Sequence, residues 1–143
     1  MDIETDYLER CVNTLDKAYE LLLLAQVSDT KGDIMYDLYR SACVKEFEII
    51  LEQSAKLLKK VLKPYFASSK AVDMLVFKDV FRHASLHSII DIESCERWLQ
   101  YRDNRNATAH DYGSGFAEET LKLLPQFIID ARNLIFAINK QNQ

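Results

Sequence analysis

The sequence predicts an all-α protein, a five-helix up-and-down-type bundle with a long second helix and a kinked last helix, and three observations carry that expectation. Turn residues are scarce: three Gly and two Pro among 143 residues, against an ordinary combined share of about 12%. Sandwiches and barrels need many more. Apolar residues recur at spacings of three and four, the repeat of a helix face. Finally, 48% of the residues are apolar, and a chain of this length hides roughly two thirds of its unfolded surface. Residues 1–143 are therefore expected to form a single domain, needing neither disulfides nor a structural metal.

The first helix is expected over about residues 3–27, where Ile3, Tyr7, Cys11, Leu15, Ala18 and Leu22 form one stripe. Ser28-Asp29-Thr30-Lys31-Gly32 clusters turn formers and reads as a loop, after which Asp33 can cap the next helix. From Asp33 to about Phe66 nothing breaks the pattern before Pro64, and Leu38, Cys43, Phe47, Ile50, Ser54, Leu57, Val61 and Tyr65 keep the period. That predicts a helix about 50 Å long. Ser68-Ser69-Lys70 offers the next stop and cap, and a third helix over 72–89 carries Leu75, Val80, Phe81 and Leu86, with Val72 and Phe77 fitting less regularly. Asp91 then caps a fourth helix running through Trp98, Leu99 and Tyr101 towards Ala109, ended by Gly113-Ser114-Gly115. The last segment, about 116–140, buries Phe116, Leu121, Leu124, Phe127, Ile128, Ala131, Leu134, Ile135 and Ile138, with Pro125 expected to kink or split it.

Charge and cysteine usage narrow the function classes. A net charge of −4 argues against a protein that coats nucleic acid by bulk attraction. The acids are concentrated, however. Residues 1–32 hold seven acidic and three basic side chains, whereas residues 53–70 hold Lys56, Lys59, Lys60, Lys63 and Lys70 and no acid. Such a run reads either as a solvated helix face or as a contact for phosphate, RNA or a partner. Cys11, Cys43 and Cys95 are odd in number and far apart, which fits small buried side chains in a reducing cytoplasm. The acidic N-terminus Met1-Asp2-Ile3-Glu4 resembles no export signal, and no apolar run is long enough to span a membrane.

Few motifs point to cofactors. His83 and His87 are four apart and face one way on a helix, but no further ligand stands at a telling spacing, so no metal is expected. Gly-rich phosphate loops and nucleophile elbows are absent, and no cofactor is expected. The dense polar segment is Tyr101-Arg102-Asp103-Asn104-Arg105-Asn106-Ala107-Thr108-Ala109-His110-Asp111-Tyr112. On a helix Arg102, Asn106 and His110 line one face, with Arg105 on the neighbouring row. Arginine forks onto phosphate oxygens, and a histidine titrating near neutrality moves protons, so these are parts for phosphodiester chemistry. The plainer reading is a helix end of charge pairs, Arg102 or Arg105 with Asp103 or Asp111.

Arg105-Asn106-Ala107-Thr108-Ala109-His110-Asp111-Tyr112 resembles the Arg-x4-His-x-Tyr signature of HEPN domains. Together with Phe77-Lys78-Asp79-Val80-Phe81-Arg82-His83-Ala84, Trp98 and Arg102-Asp103, it resembles the nucleotidyltransferase substrate-binding branch of that family over nearly the whole chain. The resemblance implies a homodimeric helical bundle whose partner is a small nucleotidyltransferase encoded nearby, the two forming a toxin–antitoxin pair. It further implies a metal-independent ribonuclease acting on RNA such as tRNA, with Arg105 and His110 as catalytic pair, Asn106 supporting them, and Tyr112 as acceptor of AMP from the partner. A non-catalytic subunit that binds nucleotide or substrate for the transferase is the alternative. Arg105 and His110 stand five residues apart, about 140° around a regular helix. Either a cleft between two copies or an unwound end at His110 would bring them to one phosphate.

Overall fold

The structure is a computed structural model that describes residues 2–28, 34–108 and 114–143, without the side chains of 107, 108 and 114–117. The described residues form six α-helices and no strand: α1 Asp6–Val27, α2 Ile34–Leu62, α3 Ser69–Asp73, α4 Phe77–Leu86, α5 Ile92–Thr108 and α6 Ser114–Lys140, with a short 3-10 turn at Lys63–Tyr65. The helical bundle is as predicted; the sixth helix arises because the expected third one is two. None of these helices is long and apolar enough to cross a membrane.

The long helices α1, α2 and α6 pack on one another, and α4 and α5 close the core against α2 and α6. Ile3, just before α1, and Cys11, Leu15, Ala18 and Leu22 on it are buried, joined by Leu8, Val12 and Ala25, while Tyr7 turns outward. On α2 Cys43, Phe47, Ile50, Ser54, Leu57 and Val61 are buried and Leu38 near its start is exposed; the helix ends at Leu62, short of the expected Phe66, because Pro64 opens the 3-10 turn that carries the exposed Tyr65. All eight α6 positions expected inside from Leu121 to Ile138 are buried. Phe47, Phe81, Trp98, Tyr101 and Phe127 meet ring to ring at the centre, with Phe81 stacked on Trp98 at 4.8 Å and Phe127 edge-on to Tyr101 at 4.9 Å. The chain's start is clamped to the end of α6: the Ile3 N–H donates to Asn142 Oδ1 at 2.8 Å, and Asn142 Nδ2 donates to the Ile3 carbonyl at 3.0 Å.

Three further features differ from expectation for identifiable reasons. Val72 and Leu75 form one apolar row, and Phe77, Phe81 and Ala84 another. No single helix buries both, so the chain breaks at 74–76, with Ser68 capping α3 by accepting from the Ala71 N–H at 3.2 Å. Helix α4 stops at Leu86, not 89, because Ser88 adopts φ 60°, and the Ile89 and Ser88 N–H groups bond back to the Ala84 and Ser85 carbonyls. That is a Schellman ending with serine where glycine is usual. Pro125 lies inside α6 without splitting it. Pro125 is exposed, and its missing N–H leaves the Leu121 carbonyl without that intrahelical donor. As expected, Asp91 caps α5, its Oδ1 accepting from the Ser94 N–H at 2.7 Å, and that bond holds its carboxyl below the usual range. Asp33, the expected cap of α2, lies outside the described residues.

Candidate functional site

The polar run occupies the C-terminal half of α5. Arg105 is half-buried and directed at α2, its Nε 3.7 Å from Glu48 Oε2. Asn106 is exposed. Arg102 lays its guanidinium 5.2 Å from the centre of the Phe77 ring at the start of α4. Asp103 pairs with Lys78 of α4, with Nζ to Oδ1 2.5 Å; Asp111, the other acid that the plainer sequence reading offered the arginines, lies outside the described residues. His110, Asp111 and Tyr112 lie outside the described residues.

The described residues on either side of the motif are joined. Asn104 Nδ2 donates to Oγ1 of Thr120 at 3.0 Å, and Thr120 is fully buried in the first part of α6. A tie between α5 and α6 thus brackets residues 105–119, which include the whole Arg-x4-His-x-Tyr run.

A second polar cluster, which sequence reasoning missed, fastens α5 to α6 two turns earlier. The fully buried Asp130 carboxylate accepts from Arg97 Nε at 2.8 Å and Nη2 at 2.9 Å, from the Tyr101 hydroxyl, and from Gln126 Nε2 at 3.2 Å. Burial, then the bond to Asp130, pushes the Tyr101 hydroxyl well above its ordinary pKa, and the same carboxylate raises Arg97. Tyr101 therefore belongs to the core rather than to the polar site. Asp130 falls between Phe127 and Leu134 on the buried stripe of α6, and a lone acid there was the available signal.

The lysines of α2 divide. Lys56 is exposed and Lys59 half-buried, and both line a groove that Arg102 also lines; Lys60 and Lys63 are exposed and are not among its walls. His83 and His87 are ring-packing residues: His87 stacks on Tyr65 at 3.9 Å and His83 meets Phe66 at 4.9 Å. Among the described residues no three His, Cys, Asp or Glu side chains are placed to hold a metal ion. The three cysteines are buried, and burial raises their thiols, that of Cys43 up to about 12. A surface furrow of about 690 Å³ along α1 from Asp6 to Leu21 is lined by none of the motif residues.

Comparison with known proteins decides the family. The model of the family described as nucleotidyltransferase substrate binding protein like matches residues 5–140. The chain belongs to that family. Over 139 residues it is 28% identical to a Haemophilus influenzae protein named probable ribonuclease HepT, a match spanning 92% of this chain and 94% of that one. A solved Haemophilus influenzae structure, described as revealing the fold of a substrate binding domain of a nucleotidyltransferase, is similar at a TM-score of 0.64 and 26% identity, over 90% of this chain and 98% of that one. This family membership accounts for the helical architecture.

Proposed function

We propose that the chain is the HEPN-type subunit of a nucleotidyltransferase pair and a metal-independent RNA endonuclease. One observation carries the reading: the intact Arg105, His110, Tyr112 run stands at the α5–α6 junction of a chain similar along its length to a protein named as a ribonuclease. His110 takes the proton of the ribose 2′-hydroxyl, whose oxygen then attacks the adjacent phosphorus. The P–O5′ bond breaks, leaving a 2′,3′-cyclic phosphate, and the departing oxygen gains a proton. The Arg105 guanidinium stabilises the charge that grows on the phosphoryl oxygens. Asn106, exposed beside it, hydrogen-bonds the ribose or phosphate.

A homodimer gives these groups a shared cleft, and AMP transferred by the nearby-encoded nucleotidyltransferase to Tyr112 adds negative charge where RNA must enter. The system so described is a cytoplasmic toxin–antitoxin pair. Expression of the chain alone in a growing bacterium is the test. Growth should stop with wild type, continue with His110→Ala, and recover when the transferase is co-expressed; uninterrupted growth with wild type, or equal arrest with His110→Ala, would sink the reading. The descriptions of the family and of the structural relative favour a second one, in which the subunit binds nucleotide or substrate for the transferase without cutting anything. It predicts growth without arrest.

A further inference from the structure

The groove beside Arg102 is built from three elements. Glu52, Lys56 and Lys59 of α2, Leu75 and Phe77 at the start of α4, and Arg102 of α5 enclose about 290 Å³. Its walls are fixed in advance. Lys59 Nζ donates to the Asp73 carbonyl at 3.0 Å, tying the end of α3 to α2. The Lys78–Asp103 ion pair ties α4 to α5, and Phe77 props the Arg102 guanidinium. The result is an apolar aromatic floor flanked by three cations and one carboxylate.

A nucleotide presents the matching set: an anionic phosphate, a flat base with apolar faces, and N–H or hydroxyl donors at its edges. Aromatic rings and guanidinium planes stack bases, while lysine and arginine hold phosphate. Position adds a further reason. Arg102 precedes Arg105 by three residues on α5, and Glu52 follows Glu48 by four on α2. Both walls thus lie one helical turn, about 5.4 Å, from the Arg105–Glu48 pair along the seam of α2 and α5. A strand with one phosphate at Arg105 would have its neighbouring nucleotide at the groove.

We propose that this groove is a subsite for the nucleotide next to the cleaved phosphate, with that nucleotide's phosphate on Lys56 and Arg102 and its base across Phe77 and Leu75. The proposal rests on the ribonuclease reading, which supplies RNA as ligand; a free nucleotide offers the same chemistry, and the experiment separates the two. The full chain carrying His110→Ala is titrated in EDTA against a labelled short single-stranded RNA, read by fluorescence anisotropy. Adding Lys56→Gln and Arg102→Gln should weaken binding about tenfold or more and reduce the slope of log affinity against log salt by about 0.7 per charge removed. Arg102→Lys should keep the slope but not the affinity, because it retains the charge and loses the flat face. Lys17→Gln on α1 should change neither.

Equal RNA affinity with and without the double substitution overturns the subsite but leaves the ribonuclease reading standing, since wild-type cleavage is assayed separately. Free AMP that binds through Lys56 and Arg102, with RNA binding indifferent to both, reassigns the groove to a free nucleotide and overturns the proposal. Absence of RNA binding by every form overturns subsite and ribonuclease together. If the double variant melts unlike its parent, Lys56→Gln alone, exposed on α2, carries the comparison.

Discussion

Asp130 accepts hydrogen bonds from Arg97, Tyr101 and Gln126 while fully buried, so neutralising it weakens all three and leaves the buried Tyr101 hydroxyl without its charged acceptor. Arg97 is about a third exposed, and solvent offsets part of that loss. Asp130→Asn should therefore cost about 2–3 kcal/mol in urea unfolding, and Tyr101→Phe about 1 kcal/mol. No loss in either would show that α5 is held on α6 by packing alone. Cys43 makes a pH prediction. Burial pushes its thiol from 9.0 up to about 12, so the folded state holds this proton more tightly than the unfolded chain does. Its contribution to stability is complete below about pH 9 and declines as pH rises towards 12. Urea midpoints should fall over that window, and less steeply in Cys43→Ala; identical slopes would contradict it. The cysteines were legible as buried because their neighbours are apolar. The Asp130 cluster was not, because Arg97 lies 33 positions away and no periodicity links the two.

At the scale of elements, helix boundaries carry the cheapest tests. Ser88 in the left-handed region bears a steric cost that glycine does not, so Ser88→Gly should raise stability by about 0.5–1 kcal/mol. Unchanged or lower stability would mean that the serine side chain offsets the strain. Pro125, exposed on α6, removes one intrahelical hydrogen bond, and Pro125→Ala should stabilise by about 1 kcal/mol or more. These are also the places where the sequence misled. A serine gives no glycine-like stop signal at the end of α4. Two offset apolar rows around residues 72–84 look like one irregular helix until the core claims both. The long second helix and the start of α5 were readable, since an uninterrupted period and an Asp91 cap are local signals.

For the whole molecule, the acidic balance and an RNA substrate are compatible. Residues 1–32 account for the whole net charge of −4, and the remaining residues balance. Arg102, Lys56 and Lys59 can therefore meet phosphate at one groove, which the charge run alone did not specify. The proposed catalytic pair rests on the motif alone, since spacing on a helix does not say how Arg105 and His110 would meet. Co-expression with the transferase should add about 329 Da per AMP to the intact mass, the increment of a covalent adenylyl group; a shift that survives Tyr112→Phe places the modification elsewhere. The central claim is tested most directly by incubating the pure protein with cellular RNA in EDTA. The account predicts cleavage leaving 2′,3′-cyclic phosphate ends, reduced about 100-fold or more in His110→Ala and likewise in Arg105→Ala. Equal cleavage by wild type and both variants, or none by wild type, would contradict it.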